Sequence, residues 1–128
     1  QNQLFGTLPE SLGNLKQLRH LELDVNALVG PIPESFGNLL LLRNLTVSFN
    51  FLTSSIPTSL GKLAELQYMD FSTNFLVGAT PESLGNLTQL QFLYLNHNGL
   101  IGSIPQSLGN LTQLLVLNLA INEIAGSI

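Results

Sequence analysis

The chain repeats itself every 24 residues along its whole length. Four complete units align without insertion or deletion: Leu15–Asn38, Leu39–Lys62, Leu63–Asn86 and Leu87–Asn110. Partial units precede and follow them, at residues 1–14 and 111–128. A fixed period of this length is typical of solenoids, in which each unit packs on its two neighbours. The repeat therefore predicts one elongated domain over residues 1–128.

Each unit opens with a short segment in which apolar and polar residues alternate. In the first complete unit, Leu21 and Leu23 alternate with His20, Glu22 and Asp24. Such alternation is typical of a half-buried strand whose leucines face the core. Equivalent strands are predicted near residues 44–48, 68–72, 92–96 and 116–120. Stacked in register about 4.8 Å apart, they would form a parallel sheet.

Asparagine, glycine and proline occupy fixed positions after each strand. One asparagine per unit, here called the asparagine ladder, is predicted to satisfy backbone groups of its own turn and of the adjacent coil. The ladder consists of Asn26, Asn50, Asn74, Asn98 and Asn122. A glycine that tolerates a left-handed backbone and a proline that begins a helical turn follow it. The closing Ser-Leu-Gly segment predicts a single short turn ended by a left-handed glycine.

These motifs resemble the plant-type, 24-residue subclass of the leucine-rich repeat family, with the pattern LxxLxxLxLxxNxLxGxIPxxLGx. The resemblance covers the whole chain and departs from the pattern only locally, for example at Ser54, Lys62 and Thr80. It implies an α/β repeat fold: a right-handed solenoid with a parallel concave β-sheet, a second small sheet, and short 3-10 turns on the convex side. It also implies a protein or peptide partner in an extracellular or cell-surface setting, as in receptor-like ectodomains and polygalacturonase-inhibiting proteins.

The composition argues against several other classes of protein. Charged residues make up 9% of the chain, against roughly 25% in ordinary globular proteins. The net charge is -4 and the few basic residues are not clustered, so nucleic acid is not an expected partner. No apolar run approaches the roughly 20 residues that span a bilayer, so this segment is not expected to insert into a membrane. The chain lacks cysteine, which removes disulfides and thiol chemistry.

The outward strand positions change residue type from unit to unit, whereas the frame positions do not. This contrast predicts that the concave face binds the partner. Tyr68, Phe92 and Tyr94 are expected to form an aromatic cluster, with Asp70 beside it and His97 at its border, because aromatic side chains commonly anchor interfaces. The alternative is that the rings only cover the sheet through cross-strand packing. The predicted ligand-binding residues are His20, Glu22, Asp24, Tyr68, Asp70, Phe92, Tyr94 and His97.

Two further outward columns belong to the predicted concave face. The third column holds Asp24, Ser48, Ser72, Asn96 and Ala120, and Ser72 is expected to be exposed on the outer face. The fourth column holds Val25, Phe49, Thr73, His97 and Ile121.

The acidic residues and histidines are the candidate sites of chemistry. Glu22 and Asp24 lie about 7 Å apart by strand rise, within the window for an inverting glycosidase. No apolar residues enclose either carboxylate, as the acid catalyst of such an enzyme requires, so a solvated acidic patch that attracts basic partners is favoured. His20 and His97 lie roughly 14 Å apart by strand spacing and cannot share a metal. The sequence therefore predicts no enzyme activity, no cofactor and no metal site.

Three tripeptides match the N-glycosylation sequon. Asn86 and Asn110 follow the helical turn, where a glycan could point outward. Asn44 lies on the predicted concave face, and a glycan there would cover much of it.

A structural function stays open as an alternative, as an adhesin, a scaffold subunit or an ice-binding solenoid. Ice binding needs a flat array of one small residue, which the mixed concave columns lack and the convex serine column could supply.

The two ends are expected to expose core leucines, because an uncapped coil leaves its face bare. These residues are Leu4, Leu8, Leu12, Leu114, Leu117, Leu119 and Ile124. Further coils or another subunit are therefore expected to cover the ends of what is interpreted as a fragment.

Overall fold

A computed structural model describes residues 2–126 as a stack of coils, and each complete coil has one strand on the concave side and one 3-10 helix on the convex side. The strands are β1 Phe5–Thr7, β2 His20–Glu22, β3 Ala27–Pro31, β4 Asn44–Thr46, β5 Phe51–Thr53, β6 Tyr68–Asp70, β7 Val77–Ala79, β8 Phe92–Tyr94, β9 Gly99–Gly102, β10 Val116–Asn118 and β11 Glu123–Ile124. The 3-10 helices are η1 Glu10–Asn14, η2 Glu34–Asn38, η3 Thr58–Lys62, η4 Glu82–Asn86 and η5 Gln106–Asn110.

The concave sheet contains five parallel strands in the order β10-β8-β6-β4-β2. Their register follows the repeat, so that His20 lies opposite Asn44 and Tyr68 lies opposite Phe92. Side chains at alternate positions of a strand point to opposite faces of the sheet. The central residue of each inner strand, such as Leu45 or Leu93, is consequently buried in the core. The predicted parallel sheet is confirmed.

Each concave strand ends two residues earlier than predicted. The fourth outward column is not a strand position, because its residues adopt left-handed backbone angles with φ between 53° and 57°. This conformation is unusual for bulky and β-branched side chains. Bonds between coils hold it in place: the amide of Phe49 donates to the carbonyl of Ser72 at 3.0 Å, and the amide of Asn50 donates to that of Thr73 at 3.2 Å. The column therefore forms a turn that leads out of the sheet.

The second sheet implied by the resemblance is present as two separate three-stranded sheets, β1-β3-β5 and β7-β9-β11. The interruption lies where Ser54 replaces the glycine of the other units. Ser54 keeps the left-handed conformation, with φ 68°, although it carries a side chain. The coils stay joined there by the amide of Val77, which donates to the Ser54 carbonyl at 3.0 Å.

Ser54→Gly is expected to raise the free energy of unfolding by about 1 kcal/mol. A left-handed conformation costs a residue with a Cβ about 1–2 kcal/mol, and part of the relief is offset by the greater backbone entropy of glycine in the unfolded chain. Urea denaturation of the two proteins measures the difference. Ser55→Gly, the same change one residue later where φ is not positive, should lower stability. A loss of equal size at both positions would contradict the strain at Ser54.

Burial of the core leucines depends on having a coil on both sides. At one repeat position, Leu21 is 8% exposed, Leu45 and Leu93 are fully buried, and Leu117 is 40% exposed. Exposure of the end coils was predicted, and Leu4 is indeed 45% exposed. Leu8 departs from that prediction, because it is buried in the common core cluster. Stacking of neighbouring coils thus supplies the burial that a single coil cannot achieve.

One polar side chain occupies a core position. Thr80 stands where the pattern has isoleucine and is only 4% exposed. Its hydroxyl has no hydrogen-bond partner among residues 2–126. A buried polar group without a partner is destabilising, so this unit is less favourably packed than its neighbours.

The convex turns confirm the role predicted for proline and correct that predicted for glycine. A proline precedes each 3-10 helix, as Pro33 does for η2. Gly13, Gly37, Gly61 and Gly85, however, are not left-handed. A Cβ at any of them would lie 2.4 to 2.5 Å from the carbonyl oxygen of a serine in the next coil. Glycine is required there because adjacent coils approach so closely.

The asparagine ladder joins each turn to the preceding coil, as predicted. The Asn50 side-chain amide donates to the carbonyls of Val47 and Ser48 in its own turn and to that of Leu23 in the preceding coil, at 3.0 to 3.1 Å. Its oxygen accepts from the amide of Leu28 at 3.0 Å. One side chain therefore satisfies four backbone groups that would otherwise be left without partners.

Candidate functional site: the concave sheet and the aromatic flank

The predicted aromatic cluster forms at the middle of the concave face. Tyr68 lies on β6, and Phe92 and Tyr94 lie on the adjacent β8, where alternation places both on the same face. The Tyr68 ring centroid is 5.6 Å from that of Phe92 and 5.8 Å from that of Tyr94, with the rings tilted by 40° and 45°. All three side chains are half-buried. The cluster thus presents a partly exposed aromatic surface held by the sheet register.

Asp70 lies beside this cluster, opposite Tyr94 on the neighbouring strand. One of its carboxylate oxygens accepts from the amide of Ser72 at 2.9 Å, and no protein group among residues 2–126 bonds to the other. Burial raises the pKa of the Tyr68 phenol, and the Asp70 carboxylate raises it further. The cluster and Asp70 therefore form one electrostatically connected site in which a second negative charge is unfavourable.

Asp24 is engaged in a structural contact between coils. Its carboxylate accepts from the Thr46 hydroxyl, from the Ser48 amide at 2.8 Å and from the Ser48 hydroxyl at 2.9 Å. Ser48 and Ser72 are buried, so the expectation that Ser72 is exposed on the outer face is wrong. At Ser48 the cause is its contact with the neighbouring coil, because its amide and its hydroxyl both donate to Asp24. Of the predicted acidic pair, Glu22 is the exposed member.

The two histidines occupy different surfaces. His20 is exposed on the terminal strand β2 of the concave sheet. His97 lies in the left-handed turn, with its Nδ1 3.0 Å from the side-chain nitrogen of Asn96, and lines a lateral groove. Within residues 2–126, no three histidine, cysteine or acidic side chains are close enough together to hold a metal ion.

The lateral groove belongs to a surface that sequence reasoning did not identify. Phe51 and Phe75 stack at a centroid distance of 6.2 Å with their planes 12° apart, and they are 51% and 59% exposed. Together with Val77 and Ile101, which are also exposed, they form what we call the aromatic flank. Phe75 and Val77 line the groove of about 360 Å³ that includes His97. The sequence contains one indication of this surface: a phenylalanine directly follows the ladder asparagine in two consecutive units, at Phe51 and Phe75.

The three sequon asparagines differ in their surroundings. Asn86 and Asn110 are exposed at the last residues of η4 and η5, on the convex side. Asn44 is half-buried on β4, and the Thr46 hydroxyl of its sequon donates to Asp24. The convex sequons are therefore the more accessible ones in the folded chain.

The coil geometry, the asparagine ladder and the parallel concave sheet define a solenoid repeat protein. The chain belongs to the leucine-rich repeat family, since the family model described as a leucine-rich repeat region matches residues 5–127. None of the curated proteins compared matches the chain.

Several solved structures are similar to this chain over nearly its whole length. The plant peptide hormone receptor RGFR1 in complex with RGF2 is 44% identical with a TM-score of 0.98, and the match covers 99% of this chain and 20% of the receptor. The ectodomain of the Arabidopsis receptor kinase HAESA, with an IDA peptide hormone, is 43% identical with a TM-score of 0.96 over 99% of this chain and 22% of that one. A plant ice-binding protein is 33% identical with a TM-score of 0.90 over 94% of this chain and 39% of that one.

The chain thus spans about a fifth of the length of these receptor structures. An ectodomain is the extracellular part of a receptor, so the homologous segments lie outside the cell. Among residues 2–126, no helix has the length and apolar character needed to cross a membrane.

Proposed function

We propose that this chain is a recognition module that binds a peptide or protein segment on its concave face, centred on Tyr68, Phe92 and Tyr94. The observation that carries the proposal is the partly exposed aromatic cluster at the middle of an otherwise regular sheet. Rigid aromatic side chains provide contact area at low entropic cost, which is why they are common anchors of interfaces. Similar structures described as peptide hormone receptors support this function and an extracellular setting.

A purely structural role for the cluster is the main alternative. Tilted aromatic pairs contribute about 0.5–1.5 kcal/mol beyond the area they bury, so the rings also stabilise the sheet. The two roles are compatible, but only recognition requires a partner to lose affinity when a ring is removed. A scaffold or adhesive subunit would more naturally use the aromatic flank, where exposure is greater.

Ice binding is less well supported, although a plant ice-binding protein is among the similar structures. The convex serine column is not a free array of hydroxyl groups. Ser35 and Ser59 donate to the carbonyls of Glu10 and Glu34 at 2.7 Å, and Ser83 donates to that of Thr58 at 2.8 Å. These hydroxyl groups therefore already donate hydrogen bonds that join adjacent coils.

Alanine at Tyr68, Phe92 or Tyr94 is expected to weaken peptide binding by about 1–3 kcal/mol, because each ring is a candidate anchor of the interface. Ligands can be selected by panning a random twelve-residue peptide library on the immobilised chain. Affinities of the selected peptides for the wild type and each variant are then measured by fluorescence anisotropy. Circular dichroism establishes that each variant retains the fold.

Phe75→Ala on the aromatic flank is the matched control, because it removes an exposed aromatic ring that lies outside the concave sheet. It should leave the affinities unchanged. Loss of binding in Phe75→Ala with retention in all three concave variants would assign recognition to the flank and refute the proposal.

A further inference from the structure

We infer that the concave site selects ligands through a basic side chain, arginine or lysine, which rests on the Tyr68 and Tyr94 rings and pairs with Asp70. The inference rests on the proposed function and specifies the chemistry of its ligand. The occupant is an extended peptide or exposed protein segment with a cationic residue at its centre.

The charge of the concave face is the first argument. Its three strand columns hold Glu22, Asp24 and Asp70 and contain no lysine or arginine. The ion pair seen within residues 2–126 joins Arg43 to Glu65 at 3.7 Å and involves none of these acids. A face of one sign attracts ligands of the opposite sign and disfavours like-charged ones.

The hydrogen bonds single out Asp70 as the carboxylate that is both available and next to the cluster. Asp24 already accepts three bonds from the next coil. Glu22 lies in the same column as Asp70 but two strands away, roughly 10 Å by strand spacing. Asp70 keeps one carboxylate oxygen without a protein partner. A cation bound there meets a half-exposed negative charge.

The aromatic rings supply the second half of the site. Tyr94 faces Asp70 across adjacent strands, and Tyr68 lies two residues before Asp70 on the same face of the sheet. A guanidinium or ammonium group within about 6 Å of a ring centroid is attracted to the ring face, more strongly when partly desolvated. The carboxylate that raises the Tyr68 pKa is the same group that would pair with this cation. An acidic or purely apolar ligand uses only part of the arrangement.

The test uses peptides selected from the random library on this chain and counter-selected on a Tyr68→Ala, Tyr94→Ala double variant. Peptides that bind only the wild type are concave-face ligands. We expect arginine and lysine to be enriched at least threefold in this pool relative to the starting library. Replacing the enriched arginine by citrulline, its neutral isostere, should weaken binding at least tenfold.

Asp70→Asn should produce a loss similar to that of the citrulline peptide. The fold tolerates asparagine in this column, because Asn118 makes the equivalent bond, accepting from the Ala120 amide at 3.1 Å. Glu65→Gln removes an exposed carboxylate outside the concave columns and should leave affinity unchanged.

The outcomes separate the two proposals. A concave-face pool without basic enrichment, or one unaffected by citrulline and by Asp70→Asn, would overturn the inference and leave the proposed function standing. If all the peptides selected on the wild type also bound the double variant, so that counter-selection left none, both proposals would be overturned. Recovery of no peptide above background would overturn both as well.

Discussion

Gly85→Ala is expected to lower the free energy of unfolding by about 3 kcal/mol, at the upper end of what overpacking usually costs. The new Cβ would lie 2.4 Å from the carbonyl oxygen and 2.5 Å from the Cβ of Ser107 in the next coil. Neither is the end of a flexible side chain, so the coils must separate. Separation also strains the bond from the Ser107 hydroxyl to the Glu82 carbonyl, now 2.7 Å long. Urea denaturation followed by circular dichroism measures the loss.

The chain contains its own control for this prediction. Gly109 occupies the same repeat position, but a Cβ there would meet nothing within 4 Å. Gly109→Ala should therefore be neutral or slightly stabilising in the 128-residue chain, because alanine loses less backbone entropy than glycine on folding. Gly85→Ala is thus expected to destabilise the fold, whereas Gly109→Ala is not. Equal destabilisation would show that glycine is needed for its backbone conformation and not for the close approach of coils.

Asn74→Ala is expected to cost about 3 kcal/mol, the upper end for leaving buried backbone groups without partners. The Asn74 amide donates to the carbonyls of Val47, Phe71 and Ser72 at 3.0 to 3.3 Å. Its oxygen accepts from the Leu52 amide at 2.9 Å. The side chain is only 7% exposed, so water cannot readily replace these bonds.

Asn74→Asp tests whether the donating NH₂ group of Asn74 is required for these hydrogen bonds. The carboxylate has the same shape as the amide, but an oxygen that cannot donate replaces the NH₂ group. That oxygen faces the backbone carbonyls of Val47, Phe71 and Ser72. Burial and these carbonyls should raise the pKa of the new carboxyl group. A raised pKa in the folded state means that stability is lost as pH rises through it, so Asn74→Asp should be less stable at pH 7 than at pH 4, relative to wild type.

Asn38→Ala is the matched control for both ladder variants. Asn38 is exposed at the end of η2 and lies outside any sequon. The change should fall within about 0.5 kcal/mol, as for most surface substitutions. Ser72 is unsuitable for this purpose because it is buried. Equal losses at Asn38 and Asn74 would contradict the proposed role of the ladder.

Much of the concave site could be predicted from sequence, because it depends on register. Tyr68, Phe92 and Tyr94 could be placed together by counting, since parallel strands one period apart lie side by side. The partners of Asp24 could not be predicted in the same way. Thr46 and Ser48 lie in the next coil, and nothing in their residue types shows that their hydroxyl groups point towards Asp24.

The turns were harder to predict, because their conformations are not encoded by residues with special backbone preferences. Val25 and Ile121 have strong β preference yet adopt left-handed angles, since hydrogen bonds between coils hold the turn. That turn carries His97 into the lateral groove and away from its expected place. The exposed stack of Phe51 and Phe75 follows from the same change of direction.

The sequence by itself determined the period, and with it the coil, the parallel sheet, the buried leucines and the alignment of equivalent residues in columns. These features follow from local alternation and fixed spacing, which can be read without knowing how coils meet. Only the tertiary structure decided why Gly85 must be glycine, which carboxylate remains available on the concave face, and which side chains the turns expose. Each of these depends on distances of a few ångströms between coils, and such distances arise only when neighbouring coils pack against each other.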